Sequence, residues 1–161
     1  MQQYLNPVEL AGTIDYRSQN MENIPLWKIG KQDAWLQASL KFYGAGRKAL
    51  YIPDFPKVDK ANKTAALYKF ESICGDGVGR GEYLDLADKL TTLLISDVPV
   101  FQTNDVDAAL RFITLVDVWY EAKKRLLCTA AALPTELCLA GDAAAPFART
   151  ASRLYEMQGW V

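Results

Sequence analysis

A chain of 161 residues, half of them hydrophobic and 23% charged, suits one domain that buries roughly 70% of its unfolded surface. A net charge of −1 gives no bulk field to hold nucleic acid or anionic lipid. Histidine is absent, which excludes a Ser-His-Asp or Cys-His hydrolase, a His-ligated zinc and a His general base.

The opening MQQYLNPVEL has neither a basic nor an apolar signal region. Val8 to Arg17 has little periodicity and is interrupted by Gly12, so it reads as a short strand or loop. KQDAWLQASLKFYG reads as a helix with Trp35, Leu36 and Leu40 on one side and Gly44 as its stop. KALYIPDF and AALYKFES read as two short strands, half-buried and paired antiparallel, joined by a solvated connection around KVDKANK. A helix follows from Glu82 to about Leu90, then TTLLIS, a continuously apolar strand ending near Pro99. NDVDAALRFITLVDVWYEAKK has the clearest helical spacing, through Val106, Ala109, Ile113, Val116 and Tyr120. Asn104 or Asp105 is its expected cap, and Arg111 its expected partner for Asp107. RLLCTAAA reads as a buried strand and FARTASRLYEMQ as a closing helix.

This order predicts an α/β fold. Residues 1–81 form a variable part with a small antiparallel β insertion, and residues 82–161 alternate helix and strand around a parallel sheet with covering helices. The apolar runs are too short to span a membrane, and the expected location is the cytoplasm. Cys74, Cys128 and Cys138 are odd in number and lack metal-type spacing, which predicts free, apolar-packed thiols in a reducing compartment and no metal site. The four tryptophans read as core and interface anchors rather than a stacking platform for single strands.

CGDGVGRGEYL, Cys74 to Leu84, places glycines at 75, 77, 79 and 81 directly before a helix. A phosphate loop needs such backbone freedom and a helix N-terminus. Its remaining chemistry is missing. In the frame of Gly75 the second P-loop glycine falls on Arg80, and in that of Gly77 on Glu82; no Lys-Ser or Lys-Thr follows. The dinucleotide form fails at the same two positions. Asp76 and Glu82 flank Arg80, so the loop repels polyphosphate about as much as it attracts it. It reads as a turn-forming connector with no cofactor role.

YLDLADKLTTLLISDVPVF, RFITLVDVWYEAKKRLLCTAAALPTEL and FARTASRLYEM resemble, in order and spacing, the carboxyl-terminal half of the AAA+ ATPases typified by bacterial ZapE and the lactation-elevated-protein ATPases. ELAGTIDYR and YKFESIC are similar to that family's Asp-Tyr-Arg element and its Phe-x-x-x-Cys strand. The family usually has paired arginines before Phe-Ile; here Leu110 replaces the first and Arg111 remains.

The resemblance implies a partial P-loop-NTPase-type sheet. It also implies that Walker A, Walker B and sensor 1 lie upstream of Met1, in a missing half or neighbouring subunit. ATP and magnesium are implied for a complete member only. Hydrolysis would be coupled to remodelling a client of the division-protein type, with membrane association only through partners, and this chain alone is expected to be inactive. The alternative is a non-catalytic protein-interaction module derived from the family.

Arg149 and Arg153 lie one turn apart and face outward when Phe147, Ala151, Leu154 and Met157 face inward. They read either as a solvated face with an Arg153–Glu156 pair or as sensor or finger arginines touching a γ-phosphate. Asp117 reads as a satisfied carboxylate bonded to backbone or arginine, in preference to a catalytic base.

Overall fold

Apolar residues on successive strand positions feed two different cores. In the computed structural model, which describes residues 25–44, 60–61 and 65–160, the strands are β1 (Trp27–Ile29), β2 (Lys60–Ala61), β3 (Ala65–Lys69), β4 (Thr92–Val98) and β5 (Arg125–Ala130). Ala65, Leu67, Leu94 and Leu127 join one cluster; Ala66, Tyr68, Leu93, Ile95, Leu126 and Cys128 join the other. Side chains alternate across a strand, so a sheet covered on both faces requires near-continuous apolar runs. AALYK and TTLLI meet that requirement.

The helices are α1 (Asp33–Gly44), α2 (Phe70–Ile73), α3 (Arg80–Lys89), α4 (Val106–Glu121) and α5 (Ala144–Met157), with a 3₁₀ turn at Pro134–Glu136. Leu36 and Leu40 of α1 cover the first face; α3, α4 and α5 cover the second through residues such as Leu86, Phe112, Val116 and Leu154. Strand order is β1-β5-β4-β3-β2, with β1, β5, β4 and β3 parallel.

Several expectations change. AALYKFES is not one half-buried strand. Its strand ends at Lys69, with residues 65–68 buried on both faces, and Phe70–Ile73 turns into α2. Its long pairing is parallel, to β4; its antiparallel neighbour is only Lys60–Ala61, which lies within the segment read as a solvated connection. The strand expected at KALYIPDF, the segment from Val8 to Arg17 and its Asp-Tyr-Arg element lie outside the described residues.

Asp105 stands at the N-cap of α4 but does not cap it; its carboxylate accepts instead from the Gln102 amide at 2.8 Å. Trp27 and Trp119 are core anchors, as expected, and their indoles donate to the carbonyls of Ala132 and Arg125 at 2.9 and 2.8 Å.

The direction of α5 follows from packing. Asp117 meets Arg153 and Tyr120 meets Glu156 across the α4–α5 groove, an equal offset that makes the two helices parallel. Because α4 links two parallel strands, it starts at their carboxyl edge, and so does α5. At the opposite edge, Gln158 accepts from the Leu26 amide at 2.7 Å, and Arg125 donates to Thr92 at 2.8 Å and to the Trp160 carbonyl at 3.1 Å.

Candidate functional site on the α4–α5 face

Phe147 sets the orientation of α5. Its ring lies 6.1 Å from Phe112 and 5.7 Å from Phe101, within an aromatic group completed by Phe70. With Phe147, Ala151, Leu154 and Met157 all buried, Arg149 points to solvent and is exposed. It makes no ion pair among the described residues, and α5 offers it no acid one turn away: residues 143–155 contain none.

Arg153 is placed differently. Its Nη1 lies 2.5 Å from Asp117 Oδ1 and its Nη2 4.0 Å from Glu121 Oε2. Its guanidinium lies 4.6 Å from the centre of the Tyr120 ring, a cation–π arrangement. The expected Arg153–Glu156 pair is not formed. Glu156 instead accepts from the Tyr120 hydroxyl at 2.9 and 3.0 Å, and that bond raises the tyrosine pKa. Asp117 is therefore the satisfied carboxylate that its position suggested.

The glycine loop closes on itself at two of its amides. Val78 N donates to Gly75 O at 3.2 Å, closing a turn with Gly77 at φ +85°, and a Cβ on Gly75 would stand 2.6 Å from the Glu71 carbonyl oxygen. The Gly79 amide at the start of α3 donates to Glu82 Oε1 at 2.7 Å, so a carboxylate sits where a phosphate would have to bind. Arg111 does not pair with Asp107. It reaches back to donate to the Cys74 carbonyl at 2.7 Å and to Asp76 at 3.4 Å. Among the described residues no three His, Cys, Asp or Glu side chains converge as a metal-ligand set.

All three cysteines are free and buried. Burial pushes the Cys74 thiol up to about 12, opposed by its hydrogen bond with Tyr83, and raises Cys128 and Cys138 as well. They are packing residues rather than nucleophiles.

A feature not read from the sequence is the crevice at the carboxyl edge of the sheet, about 450 Å³, lined by Lys31, Lys69, Phe70, Glu71, Asp97 and Pro99. Asp97 adopts φ 62° at a break in the β4–β5 register, where its amide donates to Thr129 Oγ1 at 3.0 Å and its carboxylate pairs with Lys31 at 3.3 Å. Asp tolerates the left-handed region better than most residues. The only signal in the sequence is an Asp at the end of an apolar strand.

The four parallel strands, the antiparallel edge strand β2 and the helices on both faces define an α/β protein compatible with a P-loop NTPase-like fold. The chain belongs to the AFG1-like ATPase family, whose model matches residues 1–161. It is 28% identical to the Escherichia coli cell division protein ZapE over 98% of this chain and 44% of that protein. It is 38% identical to Danio rerio lactation elevated protein 1 homolog B over 40% of this chain and 13% of that protein. An uncharacterized Schizosaccharomyces pombe protein is 33% identical over 44% of this chain and 15% of its own length. The chain thus spans less than half the length of these curated relatives. No solved structure matches it. No helix among the described residues is long and apolar enough to cross a membrane.

Proposed function

We propose that this chain is the carboxyl-terminal part of a ZapE-like AAA+ ATPase, with the ATP and magnesium site contributed by polypeptide outside these residues or by a neighbouring subunit. The observation that carries the reading is the family match across residues 1–161. In this reading the chain contributes part of the sheet, a surface for a client protein of the division type and, from α5, Arg149 and Arg153 as candidate phosphate contacts. The similarity to a protein named for cell division, over nearly the whole chain, supports that client class and a cytoplasmic setting.

The test is to assemble the chain with the nucleotide-binding portion of a family member and measure magnesium-dependent ATP turnover. Stimulation by the chain supports the ATPase reading. A second reading, a non-catalytic interaction module, is favoured by the glycine loop that binds its own Glu82; a chain that binds the same portion without altering turnover supports it instead.

A further inference from the structure

Two crevices meet at the carboxyl edge of the sheet. The one of about 450 Å³ described above opens beside α2, along Phe70 and Pro99. A second, of about 360 Å³, opens beside the first turn of α1, along Leu36 and Leu67. Lys31, Lys69 and Asp97 line both, so the two form one trough across the sheet edge, from the helical layer of α1 to that of α2.

The charges of the trough alternate along that path. Asp33 lines only the α1 end and Glu71 only the α2 end, while Lys69 is common to both. Lys31 and Asp97 pair with each other at 3.3 Å. Asp33, Lys69 and Glu71 are exposed and make no ion pair among the described residues. The remaining order is acid, base, acid. Three carboxylates against two lysines repel a polyphosphate or a nucleic-acid strand. Apolar lining with a few converging charges is the make-up of a ligand site, and open α/β sheets receive ligands outside the carboxyl ends of their strands. The occupant that fits is elongated and carries charges of both signs. An extended polypeptide meets both conditions, because its side chains i, i+2 and i+4 lie on one face, about 7 Å apart.

We propose that this trough seats an extended segment of a protein partner, with basic residues opposite Asp33 and Glu71 and an acidic residue between them, opposite Lys69. The aliphatic stems of the basic residues pack on Leu36 and Leu67 at one end and on Phe70 and Pro99 at the other, with their charged heads at the carboxylates. This assignment rests on the client-binding part of the reading above and gives that contact a place and a charge pattern.

The experiment is fluorescence anisotropy with the 161-residue chain at low salt, where exposed charges are least screened. The probes are two labelled peptides with blocked termini, Lys-Thr-Glu-Thr-Lys and the charge-reversed Glu-Thr-Lys-Thr-Glu. The parent should bind the first about tenfold more tightly than the second, as three exposed ion pairs together allow. Asp33→Lys, Lys69→Glu and Glu71→Lys combined should invert that preference, and Lys69→Glu alone should reduce it to about threefold. All three side chains are exposed, so melting should be nearly unchanged. If the triple variant does not fold, Lys69→Glu decides, and an undiminished preference in it counts against the site. Equal affinity of the parent for the two peptides, or a folded triple variant that keeps the parent's preference, overturns the proposal. So does inorganic tripolyphosphate that displaces the probe at lower concentration than unlabelled peptide does, which assigns the trough to a polyanion. Each of these failures leaves the ATPase reading in place, because turnover of the assembled protein is measured separately.

Discussion

Arg153 on α5 and Asp117 on α4 meet across the interhelical groove at 2.5 Å, with side chains only 24% and 25% exposed. A charge-assisted bond at that depth contributes about 1–3 kcal/mol. Asp117→Ala and Arg153→Ala should each destabilise the chain by about that amount, and the double variant by less than their sum. In a domain of this size each kcal/mol shifts the melting temperature by about 2–4 °C. Arg149→Ala should lie within about 0.5 kcal/mol of the parent. Denaturant titration of the four chains checks all of these together.

Phe147 orients the whole helix by packing against both Phe101 and Phe112, which also touch each other. Phe147→Ala should cost about 3–5 kcal/mol, the range for a buried ring replaced by a cavity, and Phe147→Leu clearly less. Loss of near-ultraviolet dichroism together with stability would show that the aromatic group as a whole depends on it. A stability change below about 1 kcal/mol would show that α5 is held in place by other contacts.

The regular elements of the second half were legible because their signals are local. Leu93, Leu94 and Ile95 leave no polar alternation, so they require cover on both faces, and the spacing through Ile113, Val116 and Tyr120 is helical. The inward face of α5 was legible from Phe147, Ala151, Leu154 and Met157 for the same reason. The partners were not. Arg153 has Glu156 one turn away in sequence, yet Asp117 lies 36 positions back on another helix, and only the parallel packing of α4 and α5 brings the two together. Arg111 likewise passes over Asp107 for the Cys74 carbonyl, because the glycine loop folds back onto α4. The crevice around Asp97 depends on the ends of strands that are far apart in sequence, so no single stretch announces it.

Gly77 and Asp97 both adopt positive φ, +85° and 62°, and should respond in opposite ways. Gly77→Ala should destabilise by about 1–2 kcal/mol, the cost of a Cβ in the left-handed region. Asp97→Gly removes that strain and loses only an exposed pair with Lys31, worth about 0–1 kcal/mol, so it should be neutral or slightly stabilising. Marked destabilisation by Asp97→Gly in urea titration would show that its carboxylate, rather than its backbone, holds the end of β4.

Burial raises the Cys74 thiol from its ordinary value of 9.0 to about 12. The unfolded chain loses this proton first, so the contribution is fully present below about pH 9 and is lost as pH rises from there toward 12. Stability should therefore fall on the alkaline side by up to about 1.4 kcal/mol per pH unit for this group. Cys74→Ala should flatten that limb, which urea titrations between about pH 8 and 11 would measure. An equally steep limb in the variant would place the effect on other groups.

We propose that this chain belongs to an ATPase and holds no cradle for a nucleotide among its described residues. Calorimetric titration of the 161-residue chain with ATP and magnesium tests it most directly. No saturable heat is expected at concentrations up to about millimolar, where binding free energies are only about −4 kcal/mol. Micromolar affinity that is lost when Gly79 or Arg80 is replaced would contradict it, and would return the phosphate to the loop from Gly75 to Gly81.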